Sequence, residues 1–286
     1  MRVLISADME GTCGVSSWVQ VTPSEYAGAG VPHARGEYER ARLRMTAEVN
    51  AAIEGALEGG VEEVIVNDSH DGMRNLIADD LHPSCQFITG NEKPLGMMQG
   101  VDLDDIGCAF FTGYHAKAGT PGGPLAHTWS GWVNDVRING RSTGEFGINA
   151  AIAGAYGVSV TLVTGDEKAV AQTIDLLGER CVGVAVKQGL STFSAINLHP
   201  IRAQQLIRDG AIQAVKNAKK AKPFVLPKKT TVEVEFEHQA RADHAARIPT
   251  VTRAGERAVS FKPADGVELI TIFSAITRAA SISFSP

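Results

Sequence analysis

Short apolar runs alternate with stretches of helical periodicity along the first 190 residues of this chain. Each run is rich in β-branched or aromatic residues and is followed by Gly, Asp or Ser, which is the pattern of a strand. Runs without polar alternation, such as Val64–Val66, favour strands that are covered on both faces, as in a parallel sheet. The predicted strands are Val3–Ala7, Glu63–Asn67, Cys85–Ile88, Cys108–Gly113 and Val158–Thr164.

Helical periodicity between these strands predicts three helices. They are Glu37–Leu57, Phe146–Tyr156 and Glu167–Leu177, the last with Asp166 as its N-cap. The repeated order of strand, helix and strand predicts an α/β fold with a mainly parallel sheet in a layered αβα arrangement.

Two segments depart from this alternation. Trp129–Thr143 alternates apolar and polar residues and contains Asn139-Gly140, a strong turn signal, so it predicts an inserted β-hairpin. The later elements are a helix from Pro200 to about Ala221, strands at Thr231–Phe236 and Ala258–Phe261, and a last helix from Gly266. We therefore predict an α/β catalytic domain over residues 1–190 and an α+β subdomain over residues 191–286, with an extension of the same sheet as the alternative. The subdomain is a candidate for assembly contacts.

The composition is that of a globular protein, with 44% hydrophobic and 21% charged residues and a net charge of -5. The acidic balance argues against a nucleic-acid partner. No apolar run approaches the roughly 18 residues needed to cross a bilayer, and Asp8 comes too early for a secretory signal. The four cysteines form no C-x-x-C pair, which fits free thiols in a reducing compartment. We expect a cytoplasmic protein without a membrane partner.

Metal-competent side chains follow three of the predicted strands. Asp8 and Glu10 follow the first strand, and because they are two residues apart in an extended segment they address one site. His70 follows the second strand and His115 the third. Taken singly, each has an ordinary alternative as a turn or surface residue. The carboxyl ends of parallel strands meet at one edge of a sheet, however, where ligands bind in open α/β folds.

Two further residues belong to the same prediction. Glu145 stands at the first turn of a predicted helix, where favourable interaction with the helix dipole is its alternative role. His127 lies in a loop, and a loop histidine beside an active site is suited to general acid or base chemistry, although alone it more often lies on the surface. Imidazoles and carboxylates without a thiolate indicate a hydrolytic zinc or manganese centre rather than a structural zinc site.

These residues carry a family resemblance. The chain resembles the zinc-dependent D-aminopeptidases associated with bacterial dipeptide-permease operons, and the matching motifs lie in family order within roughly residues 1–165. The motifs are Ser6-Ala7-Asp8-Met9-Glu10-Gly11, Asn67-Asp68-Ser69-His70, Gly113-Tyr114-His115-Ala116, Leu125-Ala126-His127-Thr128 and Gly144-Glu145-x-Gly147-x-Asn149-Ala150.

The resemblance implies a role for each residue and an assembly. It makes Asp8 the carboxylate that bridges two zinc ions per subunit, with Glu10 and His70 completing one metal site and His115 and Glu145 the other. It makes His127 the remaining active-site histidine, for proton transfer or for stabilising the tetrahedral intermediate. It also implies a homo-oligomer, a ring-like decamer.

The sequence thus predicts a dinuclear zinc aminopeptidase. Such an enzyme removes the N-terminal residue, a D-amino acid, from short peptides or amino-acid amides by attack of a metal-bound hydroxide. A dinuclear metal amidase or phosphoesterase of other specificity and a non-catalytic peptide or small-molecule binder are the alternatives. The predicted loop offers no P-loop glycine pattern or arginine cluster for phosphate, which favours amide hydrolysis. Asp68 is predicted either to orient a ligating histidine or to serve in a turn.

Overall fold

The computed structural model describes residues 1–23 and 34–283 of the chain. The strands are β1 Arg2–Ala7, β2 Glu63–Asp68, β3 Cys85–Ile88, β4 Ile106–Tyr114, β5 Val133–Ile138, β6 Arg141–Thr143, β7 Ser159–Asp166, β8 Val182–Ser191, β9 Ser194–Asn197, β10 Val232–Phe236, β11 Thr252–Arg253 and β12 Ala258–Phe261. The helices are α1 Trp18–Val21, α2 Ala34–Glu58, α3 Glu145–Ala155, α4 Glu167–Leu177, α5 Pro200–Asn217, α6 Gln239–Ala245 and α7 Gly266–Ala280.

Seven strands form the larger sheet in the order β3-β2-β1-β4-β7-β8-β9. All neighbouring pairs are parallel except the β8–β9 hairpin at one edge. Strand β1 lies inside this sheet, and its apolar residues point to both faces because both faces are covered. Val3 and Ile5 pack into the core shared with α2 and α5, and Leu4 packs into the core shared with α3. The layered αβα arrangement is confirmed.

A second, antiparallel sheet has the order β11-β12-β10-β5-β6. The predicted hairpin is confirmed as β5–β6, and its turn residues Asn139 and Gly140 have φ of 52° and 80°. The hairpin pairs with β10, so this sheet combines the insertion with the C-terminal strands. It is a sheet of its own and does not extend the parallel sheet. The division into two domains at residue 190 stays a prediction.

The predicted elements differ from the observed ones mainly at their ends. The strand at Cys85–Ile88 and the helix at Glu167–Leu177 have the predicted bounds, and Asp166 accepts hydrogen bonds from the backbone N–H groups of Lys168 and Ala169 as the predicted N-cap. Strand β8 was not predicted, because its valines mix with glycine and polar residues, and only three of its ten residues are buried. None of the helices within residues 1–23 and 34–283 combines the length and the apolar character of a membrane-spanning segment.

Candidate metal centre

Three neighbouring strands bring the predicted ligands to one edge of the larger sheet. Strands β2, β1 and β4 are neighbours, and backbone hydrogen bonds continue beyond their ends, from Ser69 N to Ala7 O and from Asp8 N to Thr112 O, both at 2.8 Å. Asp8 and His115 follow the ends of β1 and β4 directly, and His70 lies two residues after the end of β2. Convergence therefore results from parallel pairing, as the sequence predicted.

Two glycines allow the loops after β1 and β4 to touch. A Cβ on Gly11 would lie 1.9 Å from the carbonyl oxygen of Tyr114, and a Cβ on Gly113 would lie 2.2 Å from that of Asp8. Gly113 also has a φ of +68°, which disfavours any side chain. The Gly11 N–H donates to Gly113 O at 2.7 Å, so the two backbones are held at contact distance.

Asp8, Glu10 and His70 form the first of two buried trios. The His70 Nδ1 atom lies 3.4 Å from Asp8 Oδ1 and 3.0 Å from Glu10 Oε2. One ligand atom of each of the three residues lies within 4.8 Å of the others. This is the spacing expected of side chains that hold one cation.

His115, His127 and Glu145 form the second trio, by the same 4.8 Å criterion. The His115 Nε2 atom lies 3.4 Å from Glu145 Oε1 and 3.5 Å from Asp8 Oδ2, so Asp8 reaches both trios. The two imidazoles stack with ring centroids 4.0 Å apart. His127 Nε2 lies farther out, 3.9 Å from Glu10 Oε1 and 3.8 Å from Glu145 Oε1.

The polar atoms of this cluster fit a metal ion. Asp8 Oδ2 and Glu10 Oε2 are buried, and among the described residues neither has a hydrogen-bond donor as long as the neighbouring imidazole nitrogens of His115 and His70 are unprotonated. Burying a charged oxygen without a partner is costly. Three carboxylates, of Asp8, Glu10 and Glu145, also lie close together, and they repel each other unless a cation lies between them. The donor set of carboxylate oxygens and imidazole nitrogens is one that a divalent metal prefers.

Each histidine of the cluster is oriented by a backbone carbonyl. His70 Nε2 lies 2.7 Å from Val21 O, His115 Nδ1 lies 3.0 Å from Ala116 O, and His127 Nδ1 lies 2.9 Å from Leu125 O. A carbonyl accepts a hydrogen bond, so that nitrogen of each ring carries the proton. The other nitrogen then faces the carboxylates, as a metal ligand must.

The alternative that Asp68 orients His70 is wrong. The Asp68 carboxylate instead accepts hydrogen bonds from Asn75 N, Asn75 Nδ2 and Leu76 N, at 2.5 to 2.8 Å. Asn75 Nδ2 also donates to His70 O at 2.6 Å. Asp68 therefore holds the loop that carries His70, which is the turn role left open by the sequence.

Without a metal, bound protons offset the negative charge of the carboxylates in the cluster. Burial and the neighbouring Glu10 carboxylate raise the pKa of Asp8 to about 7. Burial opposes a charge on the histidines, but the surrounding carboxylates prevail, raising the pKa of His70 well above its usual range and that of His115 to about 10. Burial and the nearby His115 lower the pKa of His127. Metal binding must displace protons from His70 and His115, so it should weaken as the pH falls.

The loop before β5 is strained where it meets the cluster. Leu125 and Trp129 have positive φ values of 52° and 67°, which non-glycine residues rarely adopt. Between them lies His127, and the backbone N–H of Trp129 donates to Glu145 Oε1 at 2.7 Å. Strain of this kind accumulates at functional sites, where the surrounding structure holds it.

Two lysines that the sequence analysis missed hold the loops of the centre. Lys187 Nζ is buried and donates to the carbonyl oxygens of Glu10, Thr12 and Val15. Lys93 Nζ donates to Asn67 Oδ1 and Asp68 O at the end of β2, at 2.7 and 2.6 Å. A lysine within a strand or loop is usually solvated, so no local sequence signal marks this role.

The cluster opens on a pocket of about 470 Å³, which five of its six side chains line. The three tryptophans of the chain, Trp18, Trp129 and Trp132, all line this pocket. Trp18 also meets the His127 ring edge-on, with centroids 5.3 Å apart. A cavity of this size with apolar walls and a polar end fits a small ligand.

An α/β sheet with a buried carboxylate and imidazole cluster at its strand ends, opening on such a pocket, defines a hydrolase-type active site. The D-aminopeptidase family matches residues 1–275, and the chain belongs to this family of peptidases. A D-aminopeptidase of Bacillus subtilis (strain 168) is 36% identical over 281 residues, 98% of each chain. The solved structure of the Zn-dependent D-aminopeptidase DppA from Bacillus subtilis, described as a self-compartmentalizing protease, is 34% identical, with a TM-score of 0.91 over 100% of each chain. The family resemblance is confirmed.

Proposed function

We propose that the protein is a dinuclear zinc aminopeptidase that removes an N-terminal D-amino acid from short peptides or amino-acid amides. The observation that carries this proposal is the position of Asp8 between the two trios. Its Oδ1 faces His70 and its Oδ2 faces His115, at 3.4 and 3.5 Å. One carboxylate shared by two trios is what a metal pair requires. Zinc is favoured because the solved relative is Zn-dependent.

In this proposal Asp8 bridges the two metals. Glu10 and His70 hold one of them, and His115 and Glu145 hold the other. Three carboxylates leave about one positive charge on two divalent ions, so the centre tolerates one further anion. When bound, zinc supplies an electrophile for the scissile carbonyl and lowers the pKa of coordinated water toward neutrality.

We assign His127 to proton transfer rather than to a metal. Its lowered pKa keeps the imidazole neutral near neutral pH, and its Nε2 then offers a lone pair toward the centre. It is the most exposed residue of the cluster, and it lines the pocket where substrate binds. The alternative, that His127 is a ligand, is supported by its place in the second trio.

Assembly and location belong to the same proposal. The solved relative is a self-compartmentalizing protease, which implies that its subunits associate. We extend this to the present chain as a decamer, and we place the enzyme in the cytoplasm, since its cysteines are free thiols.

The test measures zinc per subunit and release of nitroaniline from D-Ala- and L-Ala-p-nitroanilide by one preparation. We expect two zinc ions and turnover of the D-substrate that a chelator abolishes. A protein that binds the D-substrate without turnover would support the non-catalytic alternative, and preferred turnover of the L-substrate would refute the assigned stereochemistry.

The bridging role of Asp8 has its own test. Asp8→Ala should lose both metals and all activity, whereas Glu10→Ala should perturb one metal more than the other. Asp71→Asn changes a carboxylate that lines the pocket but belongs to neither trio, so this control should keep both metals. Two full equivalents of zinc in Asp8→Ala would refute the bridging assignment.

A further inference from the structure

The end of helix α7 forms one wall of the pocket, and this wall carries a positive charge, in contrast to the carboxylates of the centre. Thr277, Arg278 and Ser281, at the end of this helix, line the pocket together with Trp129. The Trp129 ring packs edge-on against Phe273, one turn earlier on α7, with centroids 5.1 Å apart. Trp129 also donates its backbone N–H to Glu145. One residue therefore ties the position of α7 to the metal centre.

Arg278 is the one arginine or lysine among the pocket-lining residues that the structure describes. The other charged side chains that line the pocket are the carboxylates and histidines of the centre and Asp71. A peptide that enters with its N-terminal amine and first carbonyl at the centre directs its other end away from these carboxylates. The guanidinium of Arg278 is the group on this surface that attracts a negative charge at that end.

The ion pair between Arg278 and Glu92 leaves the guanidinium able to bind another carboxylate. Arg278 Nη2 lies 3.1 Å from Glu92 Oε1, but the side chains are 68% and 79% exposed. An exposed ion pair of this kind contributes little to stability, so another carboxylate replaces it readily. A planar guanidinium binds a carboxylate through two parallel hydrogen bonds, and the contact with Glu92 uses one nitrogen. A cation at the end of a helix also interacts favourably with the helix dipole, which is the purely structural role of Arg278.

We propose that Arg278 binds the C-terminal carboxylate of the substrate, and that the enzyme therefore prefers short peptides with a free C-terminus. This inference rests on the proposed function, because it assumes that the N-terminal residue lies at the metal centre. Arg278 lines the same pocket as the centre, and each added residue extends a peptide by about 3.3–3.6 Å, so the length of the peptide decides whether its carboxylate reaches Arg278. Longer peptides carry their carboxylate past it.

The experiment compares D-Ala-Gly with D-Ala-Gly amide, which differ only in the C-terminal charge. In the wild type, kcat/KM should be higher for the free acid. In Arg278→Gln the ratio of kcat/KM for acid over amide should fall about tenfold, with the change mainly in KM. Arg278→Lys keeps the charge but loses the planar guanidinium. Its ratio of kcat/KM for acid over amide should lie between those of the wild type and Arg278→Gln. Glu92→Gln removes the competing carboxylate and should keep or raise the wild-type ratio.

A binding measurement separates this inference from the proposed function. The three tryptophans line the pocket, so intrinsic fluorescence of the zinc-loaded protein, mixed rapidly with each compound, can report binding before turnover. We expect Arg278→Gln to weaken binding of the acid about tenfold more than binding of the amide. Equal effects on acid and amide, in binding and in kcat/KM, would overturn the role of Arg278. Selective loss of acid binding in a protein that hydrolyses neither compound would support the carboxylate site and refute the peptidase.

Discussion

A neutral histidine beside two protonated ones distinguishes His127 within the metal-free centre. Burial opposes a charge on all three rings. The carboxylates near His70 and His115 nevertheless raise the pKa of these two rings, whereas burial and the charge of His115 lower the pKa of His127. The difference follows from distance, because His127 Nε2 is 3.8 Å or more from each carboxylate. At the scale of single residues, this difference supports the proposed roles, in which His70 and His115 are ligands and His127 transfers a proton.

His127→Ala should therefore keep its metals and lose turnover. We expect zinc per subunit near the wild-type value and a kcat reduced by about 10²–10⁴, the range for general acid–base groups. His115→Ala is the matched control, since its ring stacks on His127 but faces Asp8 and Glu145 more closely, and it should lose zinc. A similar loss of zinc in both variants would make His127 a ligand.

The buried carboxylate of Glu48 makes the stability of the protein depend on pH. This carboxylate accepts a hydrogen bond from Cys13 N at 2.8 Å, and burial raises its pKa to about 7, although Cys13 N, Lys187 and Arg44 act in the opposite direction. The folded pKa lies above the unfolded value. The contribution of Glu48 to stability is therefore fully present at acid pH and is lost as the pH rises through about 7.

Glu48→Gln should stabilise the protein at neutral pH and not at acid pH. Glutamine keeps an acceptor for Cys13 N without a charge to bury, so the free energy of unfolding should exceed that of the wild type by up to about 3 kcal/mol near pH 7.5. Near pH 5 most of this difference should vanish. The measurement is Tm of both proteins at both pH values, and a difference in Tm that is the same at pH 5 and pH 7.5 would contradict the assignment.

At the scale of elements, the loops after β1 and β4 are positioned by backbone contact. Gly113→Ala places a Cβ 2.2 Å from Asp8 O in a backbone with φ of +68°, so the Asp8 loop must move. We expect a lower Tm and a loss of zinc and activity.

Gly119→Ala is the control, because Gly119 has a φ of +74° but a Cβ there meets nothing within 4 Å. It should lower the free energy of unfolding by the cost of the strained φ, about 1–2 kcal/mol, and keep its zinc. Full zinc content in Gly113→Ala would show that the contact does not position Asp8.

The sequence predicted these elements well where their signals are local. Strand ends such as Asp8 and His70 follow apolar runs, and parallel pairing alone brings them together. The carbonyl of Val21 that orients His70 could not be predicted, since it lies 49 residues away and belongs to a four-residue helix. Lys187 was missed for a similar reason, because its three carbonyl partners lie 172 to 177 residues earlier in the chain.

At the scale of the whole molecule, one hydrophobic core joins the two sheets. Phe236 of the antiparallel sheet, Phe273 of α7 and Ile148 of α3 belong to the same buried cluster, and Phe111 of the parallel sheet completes it. Because α7 packs against α3, which carries Glu145, the C-terminal elements form part of the active-site pocket. Residues beyond 190 thus contribute directly to the site, in addition to any role in assembly.

The surface of the molecule carries a patch suited to contact with a second copy of the chain. The hairpin patch comprises Leu190, Phe193, Ile196 and Ile201, on the β8–β9 hairpin and the start of α5, and each side chain is at least 58% exposed. Clustered exposed apolar residues mark interaction surfaces. In the assembly proposed above, we expect this patch to lie at subunit contacts.

Phe193→Asp combined with Ile196→Asp should therefore break the assembly. Light scattering after size exclusion should give the wild type the mass of ten 30.3 kDa subunits and give the variant a smaller one. Val225→Asp is the control, since Val225 is 61% exposed and lies outside the patch, and it should keep the wild-type mass. Circular dichroism must show both variants folded, because a charge on an already exposed side chain costs little within the subunit. A folded double variant of wild-type mass would place the subunit contacts on another surface.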